Sequence, residues 1–271
     1  MPTRSDMKAE TQRRVLTEAD RLFRERGLAA TTVRDIASAS GVSVGTVMAV
    51  GDKPADSASQ SEKKGYSERV SARLALAIAE ELRARGMDNA RPSPGDGGAE
   101  RRMAGGIGAK KVDVTWATEE SGLLLGISIK TINYRDARSG TYQKNLTNRR
   151  GDMLIEAVTL HRRFPYSVLG GLFFLDAGAA TDGSPRRKST FENAHMRFRL
   201  FTGRDDPAGR DEQFETFHLI LLGPGGRLSA HAVGDPATVV PMAEVIDGLV
   251  ERVAVRNPDF YEYVDGGLEK V

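Results

Sequence analysis

Residues 111–131 read KVDVTWATEESGLLLGISIKT, and this stretch sets the fold. Val112, Val114 and Trp116 alternate with other residues, and residues 123–132 form a branched apolar run. Both are strand patterns. A turn at 118–122 closes them into a hairpin, and a centre between Glu120 and Ser121 puts Asp113 opposite Ser128. Side chains two apart in a strand share a face, so Lys130 joins Asp113 and Ser128. An aspartate and a lysine are therefore expected together at the rim of a small sheet.

The flanking segments supply the other layers. Residues 67–85, SERVSARLALAIAEELRAR, have an amphipathic helical period and stop at Gly86. Val70, Leu74 and Ile78 form its stripe, and Glu81 falls within it. A glutamate on an apolar face costs desolvation unless it has a partner. Glu81 is then either a metal ligand or the ion-pair partner of Arg85. Residues 88–109 are a Gly-, Pro-, Asp- and Arg-rich loop, residues 147–163 read as helix, and residues 166–175, YSVLGGLFFL, as a buried strand. Strand patterns at 217–222 and 228–233 flank the turn GPGGR, and 241–255 closes as a helix.

The N-terminal 53 residues are helical in pattern. Val15, Leu16, Ala19, Leu22 and Phe23 make one stripe that stops at Gly27. A second short helix carries Val33 and Ile36, Gly41 breaks it, and Ser43 opens a third. Residues 54–66, PADSASQSEKKGY, are polar, aperiodic and headed by proline, which reads as a linker. The expected organisation is a helical module at 1–53, a linker at 54–66 and a mixed domain at 67–271.

Composition narrows the chemistry. The chain has 271 residues, 39% hydrophobic and 28% charged, which is globular. It has no cysteine, so disulfides, thiolate metal sites and cysteine nucleophiles are excluded. The four histidines, at 161, 195, 218 and 231, show no metal spacing and read as structural. The glycine-rich AGGIG at 104–108 lacks the lysine of a phosphate loop. No apolar run is long enough for a membrane helix, and no apolar core follows the N-terminal charges. A cytoplasmic location without membrane contact is expected. The net charge of +2 does not point to nucleic acid, but residues 131–150, TINYRDARSGTYQKNLTNRR, carry Arg135, Arg138, Lys144, Arg149 and Arg150 against one acid, Asp136. Such a loop suits phosphate contacts beside an active edge.

Two resemblances follow from these residues. The N-terminal stretch has LF-x-x-x-G at 22–27, TTVRDIA at 31–37, GVSVGTV at 41–47 and then Gly51-Asp52-Lys53, and it resembles the DNA-binding region of the TetR family. The resemblance implies that Thr32, Ser43, Val44, Gly45, Thr46 and Lys53 lie at or near DNA, with double-stranded DNA as the partner. In that family a long helix and an all-helical dimerisation domain follow. Here Pro54 and a polar segment follow instead, so whether a homodimer forms stays open.

The order helix, strand with Asp113, strand with Lys130, helix, strand resembles the PD-(D/E)xK nuclease core found in restriction and repair nucleases. It implies an α+β fold with an α/β core, a restriction-endonuclease-like mixed sheet flanked by helices. It also implies a Mg2+ ion held by carboxylates and a lysine that stabilises the developing charge. The position two before the lysine, normally acidic, is Ser128. Some restriction enzymes of this group carry Ser-x-Lys and draw the second acid from the following helix. Here that helix offers Asp152, spaced from Arg149 as the pattern requires, and Glu156, which sits among Leu154, Ile155 and Ala157. Glu156 is the preferred acid, because it needs a reason to be there. The implied activity is a Mg2+-dependent DNA endonuclease, by analogy one of restriction or defence. The alternative is a non-enzymatic TetR-like regulator carrying a degenerate nuclease fold.

Overall fold

A computed structural model of the chain describes residues 53–93, 101–104 and 108–271, together with scattered positions between 10 and 40. The chain divides into two compact units, Met1–Asp52 and Lys53–Val271. In the first, the described positions are mostly helical, and Leu22 and Ile36 are buried.

The second unit runs α1 (Gln60–Arg83), β1 (Arg101–Ala104), β2 (Ala109–Val112), β3 (Val114–Thr118), β4 (Gly122–Ile132), α2 (Leu146–His161), β5 (Val168–Asp176), α3 (Thr190–Phe198), β6 (Thr216–Leu222), β7 (Leu228–Ala232), α4 (Met242–Arg256), β8 (Tyr261–Val264) and β9 (Gly267–Lys270). Five strands form one mixed sheet in the order β3-β4-β5-β6-β7. The outer pairs are antiparallel and the two inner pairs parallel. Parallel neighbours need a crossover, and α2 and α3 lie in the two connections.

The sheet is covered on both faces. One face packs Val114, Leu125, Ile127, Leu172 and Phe174 against Ile78 and Leu82 of α1 and Leu249 and Val250 of α4. The other packs Leu169, Phe173 and Leu175 against Met153, Ala157 and Leu160 of α2 and Phe198 of α3. Successive residues of β5 thus serve opposite cores, which is why its sequence is apolar without alternation. Gly170 and Gly171 allow close approach from each side. A Cβ at Gly170 would stand 2.9 Å from Leu249 and one at Gly171 2.5 Å from Phe217.

The hairpin register is the expected one at its open end. Val114 pairs with Ile127, so Asp113 stands at the position facing Ser128. A bulge between Trp116 and Ala117 shifts the far end, which pairs Thr118 with Gly122.

Three expectations need correction. The segment read as a linker is helical from Gln60, because Ser59 and Glu62 form a capping box in which each side chain satisfies the other's backbone N–H. The 88–109 loop contains β1 and the start of β2. Helix α3 was not anticipated, and it opens on a second capping box, Ser189 with Glu192. A C-terminal hairpin, β8 with β9, was also missed. It turns on Asp265 and Gly266, both at positive φ.

Candidate nucleolytic site

Asp113 sits between β2 and β3, where the chain bends from one core into the other. The Ile129 backbone N–H donates to Asp113 Oδ2 at 2.6 Å, which fixes the carboxylate beside β4. Ser128 and Lys130 share a face of β4. Helix α2 delivers Glu156 to Lys130, within a stripe of Met153, Glu156, Ala157 and Leu160 that is buried at i, i+3, i+4 and i+7. Lys130 Nζ lies 3.3 Å from Glu156 Oε2 and 3.6 Å from Asp113 Oδ2.

Burial governs the electrostatics. It pushes the Glu156 carboxyl above the ordinary glutamate value; the Lys130 charge opposes this and the Asp113 charge adds to it. Burial pulls the Lys130 ammonium down, but Glu156 and then Asp113 outweigh it and hold the lysine above its ordinary value. The Ser128 hydroxyl is near enough to favour the Glu156 charge without completing a hydrogen bond. Ser128 Oγ and Glu156 Oε1 are both buried and lack a hydrogen-bond partner.

A cleft of about 840 Å³ opens over Asp113 and Lys130. One wall is α1, with Lys63, Lys64, Ser67 and Glu68, and the other is formed by Asn133, Tyr134, Arg135, Lys144 and Arg149. With Lys111 and Lys130, seven cationic side chains line it against Glu68, Asp113 and Asp136. Lys144 is paired with Asp136 at 2.7 Å, and the Arg135 guanidinium lies 5.5 Å from the centre of the Tyr142 ring.

The remaining expected site residues lie elsewhere. Asp152 is a quarter turn off the buried stripe of α2. Its side chain is 56% exposed and 3.6 Å from Arg149, so it points to solvent and does not join Asp113. Glu81 is held by Arg85 at 2.7 Å, and Arg85 also binds Asp247 of α4 at 2.6 Å. The ion-pair reading of Glu81 is the one the geometry favours over the metal reading. Arg138 is exposed and Arg150 lies over the Phe201 ring, and neither lines the cleft. Lys53 pairs with Asp176 at 2.7 Å. Thr32, Ser43, Val44, Gly45 and Thr46 lie outside the described residues. Lys63, Lys64 and Lys111 were not anticipated in the cleft. The Ser59–Glu62 capping signal would have extended α1 far enough to include the first two.

Among the described residues, no group of three or more His, Asp or Glu side chains is placed to hold a metal. The histidines take structural positions. His161 contacts Glu215, which also binds Arg204, Arg256 and the Leu169 N–H in a buried network. No described helix is long and apolar enough to cross a membrane.

Residues 15–49 match the family model of bacterial regulatory proteins, tetR family. That match supports the N-terminal resemblance and a DNA-binding module there. No curated protein and no solved structure matches the chain.

Proposed function

We propose that the chain is a Mg2+-dependent DNA endonuclease, by analogy a restriction or defence enzyme. Its N-terminal helix-turn-helix binds the duplex, and Asp113, Lys130 and Glu156 carry the chemistry. The observation that supports this reading is the placement of Lys130 between two carboxylates on the floor of a cationic cleft.

The donor set fits a hard cation. Glu156 Oε1 is buried with no hydrogen-bond partner, and a cation would satisfy it. Asp113 and Glu156 would hold the metal. When bound, it polarises the phosphate and activates water. Lys130 stabilises the negative charge that grows on the phosphoryl oxygens. Arg135, Lys144 and Arg149 hold flanking phosphates, and the buried helix stripe keeps Glu156 from turning away.

A second reading has its own support. The Lys130 ammonium already neutralises both carboxylates, as in a structural ion-pair triad. The chain is then a regulator whose second unit binds without cutting. Supercoiled plasmid incubated with purified protein in Mg2+ and in EDTA separates the two. The nuclease reading expects relaxed or linear product in Mg2+ alone, abolished by Asp113→Ala and by Lys130→Ala. Intact plasmid under both conditions favours the regulator.

A further inference from the structure

The cleft has a fixed width, and that width selects the substrate. We infer that it takes a single DNA strand, at an end or where the duplex is open, rather than an intact duplex. This deepens the nuclease reading and rests on it for the chemistry. The volume of about 840 Å³ is that of a cube about 9 Å on edge, less than the ~12 Å width of the duplex major groove alone.

The two walls are tied together. Asn133 Nδ2 donates to Ser67 Oγ of α1 at 3.1 Å. The Tyr134 ring meets Tyr66 of α1 edge-on at 5.9 Å, and Lys63 of α1 lies 5.5 Å from the centre of the Tyr134 ring. Widening the cleft to admit a duplex breaks all three contacts. Tyr66 is also buried in the unit, so α1 is not free to swing.

The charges suit the same guest. A convex duplex offers its two backbones to a surface, whereas cations on both walls of a narrow cleft converge on one backbone. Lys63 and Lys64 supply one wall, and Arg135 and Arg149 the other. The floor then presents Asp113 and Lys130 to a phosphodiester that passes between them. In this division of labour the N-terminal module grips duplex DNA, and the second unit acts on a strand that leaves it.

The test uses the full chain and labelled oligonucleotides of one sequence: single-stranded, blunt duplex, and duplex with a single-stranded tail. Cutting is read in Mg2+, and binding in Ca2+ as a salt titration. The expected result is cutting of the single strand and of the tail, with the blunt duplex interior spared. Lys63→Ala and Arg135→Ala should each weaken single-strand binding and flatten its log K against log salt slope by about 0.7. Blunt duplex cut as fast as the single strand overturns the inference and leaves the nuclease reading standing. No cutting at all, with single-strand binding that both variants weaken, ends the nuclease reading and keeps the strand assignment. Single-strand binding or cutting untouched by both variants removes the strand from this cleft.

Discussion

Replacing Lys130 with Met tests the core of the site without disturbing its shape. The methionine keeps most of the side chain's length and removes the charge between Asp113 and Glu156. At an effective dielectric near 20, each contact is worth at most about 4 kcal/mol, and desolvation of the lysine takes back part of it. Removing one partner of a buried pair costs about 3–5 kcal/mol. At 2–4 °C per kcal/mol, that is a fall in Tm of roughly 6–20 °C. The fall should depend on pH. Burial already raises the Glu156 pKa, and losing the lysine raises it further. An acid whose folded pKa lies above its unfolded value binds more protons folded, so the fold loses stability as pH rises from the unfolded value through the folded one. The variant should therefore lose more at pH 8 than at pH 5, where Glu156 takes a proton. Melting followed by circular dichroism at the two pH values measures the difference. The double variant Lys130→Met with Glu156→Gln should recover at least half of the pH 8 loss. A fall equal at both pH values, or no recovery in the double variant, would show that Glu156 and Lys130 are not coupled as described.

Glycine substitutions should separate a crowded site from an open one. Gly171→Ala forces a Cβ within 2.5 Å of Phe217 and should destabilise by about 1–3 kcal/mol in urea melts, whereas Gly151→Ala, with nothing within 4 Å, should stabilise α2 by up to about 1 kcal/mol. Burial lowers the pKa of His195 to about 4, with the His231 charge adding to the effect, and burial alone lowers that of His218 to about 4. Each contributes stability that is complete above about 6.5 and is lost as pH falls toward 4, so Tm should drop between pH 7 and 5; histidine NMR titrations with both groups near 6.5 would refute this. Deleting residues 1–52 should reduce duplex affinity and its salt slope while leaving the melting of residues 53–271 unchanged; a lower Tm would show that the two units depend on each other.

Much of the second unit was legible because strands and helices repeat with fixed periods. The alternation around Val112, Val114 and Trp116 and the run from 123 to 132 gave the hairpin and, through its register, the pairing of Asp113 with Ser128 and Lys130. The bulge at Trp116–Ala117 was not legible, since it left the alternation near Asp113 intact. Both missed helix starts carry Ser-x-x-Glu, at 59–62 and 189–192, but their polar first turns hide the helical period. The terminal hairpin carried its own signal, Tyr-Glu-Tyr-Val followed by Asp-Gly.

Sequence alone set which residues share a strand face, because side-chain direction alternates whatever packs on the sheet. It offered Asp152 and Glu156 as acids one turn apart but could not choose with certainty between them, because that choice belongs to the packing. Once Met153, Ala157 and Leu160 bury against the sheet, Glu156 is carried inward to Lys130 and Asp152 is left outside. Glu81 was settled in the same way, by the Arg85 and Asp247 charges beside it. The cleft itself was decided only by tertiary structure. Its walls come from residues about seventy positions apart, and they close because Ser67 and Tyr66 meet Asn133 and Tyr134, a contact that no local pattern encodes.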